Sequence, residues 1–396
     1  MLYLYYLGAA LLIYLSLKSL QGGIDYLAYF KKELARPTSG FTPFASVIAP
    51  CKGTNAGLAA NLAAVLDQDY PEYEVIFVLD DSTDPAVPLI EDAARNSAAG
   101  SKVVYAQKAT DSGQKVESLR EAVLHTDSRS EVLAFVDSDV RPGREWLRSL
   151  IAPLADVSAG ASSGYRWFIA ENSNFATELR SSWNASIASV QGPDTRSNFC
   201  WGGSMAVRRD VFERLNIREK WRGTLSDDLA VTRLMNEARL PVYFVPKAIV
   251  PSSGTCFLRE LFEFTNRQIK ITRVYATKLW ITSFLGSGLF NVVMIASFGI
   301  VFTDRAATFA WNAALFTIIS VTLLSVGKAW LRAKAIRLVL RENRAALDRQ
   351  FIYQITLWMF TPFVFFINCA AALFSRRITW RGTEYEMTSP TETKVL

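Results

Sequence analysis

Two carboxylates at the end of a strongly apolar run are the residues of this chain whose spacing best suits chemistry. Residues 132–136 (VLAFV) form a continuous hydrophobic run, as in a strand that is covered on both faces. Asp137 and Asp139 follow it, and in an extended chain a spacing of two directs both side chains to the same side. Such a pair of oxygen ligands at the carboxyl end of a buried strand suits Mg²⁺ or Mn²⁺ carrying a diphosphate. A polar strand end that enters a Pro-Gly turn is the plain alternative, and the short pattern alone leaves it open.

The chain before this run has the pattern of a parallel sheet covered by helices. Predicted strands alternate with predicted helices: strands at 45–49, 73–79 and 102–106, and helices at 58–66, 86–97 and 114–124. Ligands of such sheets bind at the carboxyl ends of the strands, and here Asp80 and Asp81 end the second strand. No G-x-G-x-x-G or Walker lysine motif follows a strand, which disfavours a dinucleotide oxidoreductase or a P-loop NTPase.

Long apolar stretches make up much of the remaining chain. Half of the 396 residues are hydrophobic, and four stretches with few or no charges are 1–17, 281–303, 306–330 and 351–374. Each is near the ~20 residues that cross a bilayer as a helix. We predict an uncleaved N-terminal anchor over 1–20, a globular domain over 30–255 and about three transmembrane helices within 281–374.

The basic residues of the chain flank its apolar stretches. The net charge is +6, and the flanking clusters are Lys18, Lys31 and Lys32, then Lys328, Arg332, Lys334, Arg337 and Arg341. Since such clusters mark the cytoplasmic side, we predict a multi-pass protein of the inner cell membrane with a cytoplasmic globular domain. Nucleic-acid binding is not needed to explain the charge, so no nucleic-acid partner is predicted.

The segment after the last apolar stretch, 375–396, is predicted to be a tail that is disordered from Thr388 onward. Its side of the membrane stays open at this point. Four crossings would put it outside, whereas Arg376, Arg377 and Arg381 favour inside. One apolar stretch that is re-entrant or interfacial would reconcile the two.

Five segments, in chain order, resemble family-2 glycosyltransferases and most closely their ceramide glucosyltransferase-like branch, with its bacterial hopanoid-associated relatives: SVIAPCKG, LDQDYPEYEVIFVLDDSTDPA, FVDSDVRP, WGGSMAVRRDVF and LSDDLAVTRLM. The match spans 45–275 and continues weakly into 377–382 (RITWRG). The resemblance implies an α/β GT-A (Rossmann-like) catalytic domain with transmembrane helices. It also implies an inverting, membrane-bound enzyme that moves a single glucose-type sugar from a UDP-sugar to a lipid hydroxyl, such as that of ceramide or a hopanoid/diacylglycerol-like acceptor.

The resemblance also assigns roles by position. The substrate and metal contacts are Asp80, Asp81 and Lys115 for the sugar-nucleotide, Trp201 for the sugar or acceptor, and Asp137 and Asp139 for Mg²⁺ or Mn²⁺. The catalytic base is Asp228, which takes the proton of the acceptor hydroxyl. Asp227 replaces the glutamate of the family pattern and is placed with the substrate contacts. A structural alternative exists, because Ser226 is a good N-cap and first-turn acids of a helix over 227–238 favour its dipole.

One family motif departs from its usual form. A Q/R-x-x-R-W motif normally ends this domain, and Arg267 aligns with its start, but Lys270 replaces the arginine and Ile271 the tryptophan. Lysine keeps the charge but loses the bidentate fork, so the diphosphate contact falls to Arg267, Lys270 or the nearby Arg273. The change disfavours a processive polysaccharide synthase, and a non-catalytic membrane scaffold with a decayed domain is the other alternative. Aromatic and basic residues mix over 256–280, which predicts an amphipathic helix in the membrane interface.

Overall fold

The computed structural model describes residues 2–37, 39–55, 57–304 and 306–396, and it divides into two compact units. The sheet unit comprises Lys32–Glu171, Gln191–Gly254 and Arg376–Leu396. The helical unit comprises Met1–Lys31, Asn172–Val190 and Thr255–Ser375. Met1, Thr38, Ala56 and Arg305 fall within the predicted domains but lie outside the described residues.

A seven-stranded sheet of order β3-β2-β1-β4-β7-β5-β8 forms the centre of the sheet unit. The strands before the tail are β1 Ala45–Pro50, β2 Tyr73–Leu79, β3 Gly100–Tyr105, β4 Val132–Val136, β5 Ala161–Ser163, β6 Arg166–Ala170, β7 Ser204–Arg208, β8 Val242–Phe244 and β9 Val250–Gly254. The first four run parallel, whereas β7 is antiparallel to β4 and β5. A separate parallel pair joins β6 and β9.

Helices cover the sheet: α2 Leu58–Leu66, α3 Val87–Arg95, α4 Gln114–Ala122, α5 Trp146–Ile151, α7 Arg209–Arg214, α8 Ile217–Lys220 and α9 Asp227–Glu237. Strands β1, β2 and β4 are apolar on both faces, and nearly all of their side chains are buried. Val47, Phe77 and Ala134 share one core cluster with side chains of α2 and α5, while α4 contacts β1 and β2. Parallel strands then align their carboxyl ends at one edge. The predicted α/β domain is therefore confirmed.

The tail is ordered rather than disordered, contrary to the sequence-based expectation. It forms an antiparallel three-stranded sheet of β10 Arg377–Trp380, β11 Thr383–Ser389 and β12 Glu392–Val395, and it belongs to the sheet unit. Tyr385 and Met387 on β11 are buried, whereas Glu386 between them is not. In short strands that bury only every second residue, the average composition is polar, as it is in a disordered segment. Composition alone therefore could not distinguish the two, and the expectation was wrong.

The helical unit contains the long apolar helices. Its elements are α1 Leu2–Ala35, α6 Phe175–Ala188, α10 Leu258–Tyr275, α11 Thr277–Thr303, α12 Phe309–Val339, α13 Arg344–Thr356 and α14 Thr361–Phe374, with the end of α1 entering the sheet unit. Among the described residues, α1, α11 and α12 are long and apolar enough to cross a membrane. The fourth predicted span is instead a helix pair, 341–359 and 361–374, bent by 57°. Its two halves form a broken span or a re-entrant loop.

A buried hydrogen-bond network joins three elements of the helical unit. Arg332 on α12 donates to Gln354 on α13 over 3.0 Å, and Gln354 donates to Ser181 on α6 over 3.1 Å. Gln350, one turn earlier on α13, donates to the buried Glu178 on α6 over 3.0 Å. These bonds fix the register of α6 against α12 and α13, because any other register would leave buried polar groups unpaired, which destabilises the folded state.

Candidate active site

Asp137 and Asp139 converge on one cationic atom at the carboxyl end of β4. The Nη2 atom of Arg166 donates to Asp137 Oδ2 over 3.1 Å and to Asp139 Oδ1 over 2.9 Å. Arg166 opens β6. The sequence predicted the acidic pair but not this arginine, because no short motif links residues that lie 29 and 27 positions apart.

The position of Arg166 shows whether Asp137 and Asp139 could bind one divalent ion together. A guanidinium nitrogen stands between the two carboxylates, so an oxygen of each can reach a single cation. Within the described residues, no group of three or more His, Cys, Asp or Glu side chains is arranged to hold a metal. The two aspartates therefore suit an ion that keeps water or substrate oxygens in its shell, as Mg²⁺ does.

Lys115 connects this pair to a second acidic pair. It lies at the start of α4, and its Nζ is 2.8 Å from Asp137 Oδ1 and 3.3 Å from Asp227 Oδ1. Burial alone would lower the pKa of Lys115, but the charges of Asp137, Asp227 and Asp228 raise it above its ordinary value. Lys115 therefore stays charged between the two pairs of acids.

Asp227 is the buried member of the second pair. It opens α9, and the predicted N-cap is confirmed, since Ser226 Oγ accepts from the Leu229 N–H over 3.4 Å. Burial raises the pKa of Asp227 to about 7, helped by the charges of Asp228 and Asp137 and opposed by Lys115. Its Oδ2 has no hydrogen-bond partner within the part of the chain that the structure describes. A carboxyl in this position exchanges a proton near neutral pH.

Asp228 is half-buried and its carboxylate is held from both sides. Oδ2 accepts from the Gly202 N–H over 3.1 Å, and Oδ1 accepts from the Leu229 N–H over 2.8 Å and from the Ser226 hydroxyl. Gly202 belongs to the predicted W-G-G segment, so the structure brings two separate sequence motifs together. The carboxylate is thereby oriented while part of the side chain stays accessible.

Trp201 packs against the arginine that bridges Asp137 and Asp139. The guanidinium of Arg166 lies 5.1 Å from the Trp201 ring centroid, a cation–π distance, and the Tyr165 ring lies 5.6 Å from the same ring. Trp201 thus belongs to the site, although its observed contacts are with protein side chains. Stacking on a sugar stays a prediction.

The carboxyl ends of β1 and β2 meet at the same edge. Asp80 pairs with Lys52 over 3.0 Å. Asp81 is exposed, and its Oδ1 accepts from the Thr83 N–H over 2.8 Å and the Thr83 hydroxyl over 2.7 Å, bonds that lower its pKa. This is an Asx-turn, the local role that competes with nucleotide contact. The sequence did not indicate a role for Asp84, whose carboxylate accepts from the backbone N–H of Gly53 in the loop after β1.

Three predicted diphosphate contacts lie on α10, in the helical unit. Arg267 lies 5.6 Å from the ring centroid of Phe264. Arg273 donates to the carbonyl of Ala372, and its guanidinium lies 5.5 Å from the Trp280 ring centroid. Lys270 is half-buried on the same helix. The roles of Arg267 and Lys270 stay predictions.

Solved structures similar to this chain include three proteins of low sequence identity. The mannosyltransferase PcManGT from Pyrobaculum calidifontis, in complex with GDP-Man and Mn²⁺, is 17% identical with a TM-score of 0.48, over 93% of this chain and 99% of that one. TarS 1-349 from S. aureus is 13% identical with a TM-score of 0.38, over 88% and 97%. Glucosyl-3-phosphoglycerate synthase from Mycobacterium tuberculosis, with Mn²⁺ and UDP-glucose, is 17% identical with a TM-score of 0.35, over 62% and 82%.

The family comparison covers nearly the whole chain. No curated protein matches the sequence significantly. The model of glycosyl transferase family 21 matches residues 11–393, which confirms the prediction of a sugar transferase. The chain therefore belongs to glycosyl transferase family 21.

Proposed function

We propose that this protein is a membrane-bound, inverting hexosyltransferase of the ceramide glucosyltransferase-like type. It transfers one glucose-type sugar from a UDP-sugar to a lipid hydroxyl, that of ceramide or of a hopanoid/diacylglycerol-like lipid. One observation carries the proposal: Asp137 and Asp139 both bind the guanidinium of one arginine, and Lys115 beside them joins Asp137 to Asp227, the neighbour of Asp228. This puts a site for a charged leaving group next to an oriented carboxylate.

On the donor side, Asp137 and Asp139 would hold Mg²⁺ or Mn²⁺. Such an ion neutralises charge on the departing nucleoside diphosphate. Lys115 and Arg166 keep the pKa of Asp137 below its ordinary value, against the effect of burial. Asp137 is therefore ionised at neutral pH, as a metal ligand must be. Asp80 and Asp81 would contact the nucleotide at the end of β2.

On the acceptor side, Asp228 would act as the general base. Its carboxylate accepts the proton of the lipid hydroxyl while that oxygen attacks the anomeric carbon, and one such displacement inverts the configuration. The Gly202 and Leu229 N–H groups that bind the carboxylate fix its direction. Trp201 would stack on the sugar or on the acceptor.

The apolar helices support a lipid acceptor and a membrane setting. Side chains along α1, α11 and α12 are exposed although they are large and apolar, for example Leu4, Leu323 and Phe302. Such surfaces are expected where helices face acyl chains. Basic residues at the end of α12 support a cytoplasmic sheet unit in an inner membrane.

The test is a screen of UDP-sugars against extracted lipids with Mg²⁺ or Mn²⁺ and purified protein. We expect release of UDP and one hexose added per lipid, read by mass spectrometry. Failure to release UDP from any UDP-sugar would refute the proposal. Chains of several sugars would instead identify a polysaccharide synthase, and absence of metal-dependent UDP binding by calorimetry would identify a non-catalytic scaffold.

A further inference from the structure

A hairpin of the tail brings an arginine to the carboxyl edge of the central sheet. The hairpin is β10 with β11, and its turn is formed by Arg381 and Gly382, with φ of 50° and 81°. Two consecutive residues of positive φ make the tight two-residue turn of such hairpins. At its tip, Arg381 Nη1 donates to the carbonyl of Lys52 over 2.7 Å, in the loop that follows β1.

The tail sheet is fixed to two further loops of the site. The hydroxyl of the buried Tyr385 accepts from the Gln114 N–H over 3.3 Å, one residue before Lys115. Thr391, in the turn before β12, lies so close to Gly223 that a Cβ at this glycine would overlap its carbonyl oxygen. The tail sheet is therefore held at three points of the sheet unit: the loop after β1, the start of α4 and Gly223.

Three cations at this edge are paired with carboxylates, whereas Arg381 is not, within the part of the chain that the structure describes. Lys115 pairs with Asp137 and Asp227, Arg166 pairs with Asp137 and Asp139, and Lys52 pairs with Asp80. Among the described residues, Arg381 forms no salt bridge, and its side chain is exposed.

We propose that Arg381 binds the diphosphate of the sugar-nucleotide, so that the C-terminal hairpin completes the donor site. The inference rests on the proposed function, since it needs a nucleoside diphosphate as donor. A guanidinium has five N–H donors, and one of them is bound to Lys52, which leaves a fork for phosphate oxygens. Arg381 thereby supplies, from the sheet unit, the contact that the sequence assigned to Arg267 and Lys270.

The test compares Arg381→Asn with a matched control on the same hairpin. Asparagine tolerates positive φ, so the turn is retained while the charge is lost. The control is Arg377→Gln, an exposed arginine of β10 that pairs with Glu386 over 3.5 Å. With Mg²⁺ present, calorimetry should show UDP binding weakened about tenfold in Arg381→Asn, uridine binding unchanged, and neither altered in the control.

Each outcome separates this inference from the proposed function. Equal UDP affinity in Arg381→Asn and the wild type would overturn the inference and leave the function standing. A matching loss of uridine affinity would also overturn it, because the residue would then hold the loop and not the diphosphate. If the wild type binds no UDP, the proposed function is itself refuted, and this inference, which depends on it, is refuted with it. If Arg381→Asn does not fold, Arg381→Lys provides a second test, because lysine keeps the charge but lacks the fork of the guanidinium. We expect Arg381→Lys to bind UDP more weakly than the wild type. Unchanged UDP binding would count against the inference.

Discussion

At the scale of single residues, the role of Asp228 can be tested with a side chain of the same size. Asp228→Asn keeps the size of the side chain and one acceptor oxygen, which can accept from the Leu229 N–H, but its NH2 group replaces the oxygen that accepts from the Gly202 N–H, and an amide cannot take a proton. We expect UDP binding to persist and turnover to fall about 10²- to 10⁴-fold. UDP affinity by calorimetry and UDP release by a coupled assay measure the two effects.

Asp210→Asn is the matched control for this substitution. Asp210 also lies in the first turn of a helix, α7, but its partner is Arg208 over 2.9 Å. We expect its turnover to stay near that of the wild type. If Asp228→Asn remained as active as this control, Asp228 would be a helix-capping residue and not the base.

The raised pKa of Asp227 leads us to predict that the stability of the protein depends on pH. Burial raises its pKa to about 7 in the folded protein, from an ordinary value of 3.8. The folded state keeps a proton that the unfolded state releases, so this residue costs stability as the pH rises from about 4 to about 7. Asp227→Asn does not titrate. The melting temperature of the wild type should therefore fall relative to that of the variant across this window, then level off.

Thermal unfolding in detergent at several pH values measures this difference. A gap between the two proteins that stays constant with pH would contradict the prediction, because it would show that the pKa of Asp227 is the same in the folded and unfolded states. The sign would reverse if the pairing of Lys115 with Asp227 outweighed burial, because the folded pKa would then lie below the unfolded one.

Residue types and local spacing predicted part of this site and missed the rest. The spacing of Asp137 and Asp139 was enough to place both carboxylates on one side, since strand geometry fixes it. Arg166 and Asp84 were missed because they contact the site from other strands and loops. Such partners depend on tertiary contacts, which no short motif encodes.

At the scale of elements, the buried network of α6, α12 and α13 predicts a loss of stability on substitution. Gln354→Leu removes an acceptor from Arg332 and a donor to Ser181, and leaves both without that partner inside the helical unit. We expect a loss of about 1–3 kcal/mol. Thermal unfolding in detergent measures it.

The neighbouring residue provides the control. Tyr353 lies on the same helix and is exposed, so Tyr353→Phe should leave the melting temperature nearly unchanged. Equal melting temperatures for Gln354→Leu and Tyr353→Phe would show that the network contributes no net stability, as happens when buried polar groups only offset their own desolvation.

The elements that the sequence predicted correctly are those with a high average hydrophobicity. Strands β1, β2 and β4 are mostly apolar, and α11 and α12 are long apolar helices, so burial and composition agree. The tail strands bury alternate residues only, and their polar average hid them. The stretch 351–374 was predicted as one span because hydropathy does not register the bend near Phe360.

At the scale of the whole molecule, the ordered tail constrains the membrane topology. Residues 376–396 belong to the same compact unit as 32–171, so in the proposed membrane setting both lie on one side of the membrane. On that proposal, the chain between Thr255 and Ser375 crosses the membrane an even number of times. With one crossing each for α11 and α12, we predict that the bent pair enters and leaves on the same side.

A tag at the C-terminus tests this topology. In sealed inside-out vesicles we expect protease to remove a C-terminal tag and to cut the sheet unit, while an N-terminal tag, beyond the single crossing of α1, stays protected. Detergent should expose both tags, which controls for a resistant cleavage site. Protection of the C-terminal tag would mean that the bent pair spans the membrane. The tail could not then contact Lys52 and Gln114, and Arg381 would be excluded from the donor site.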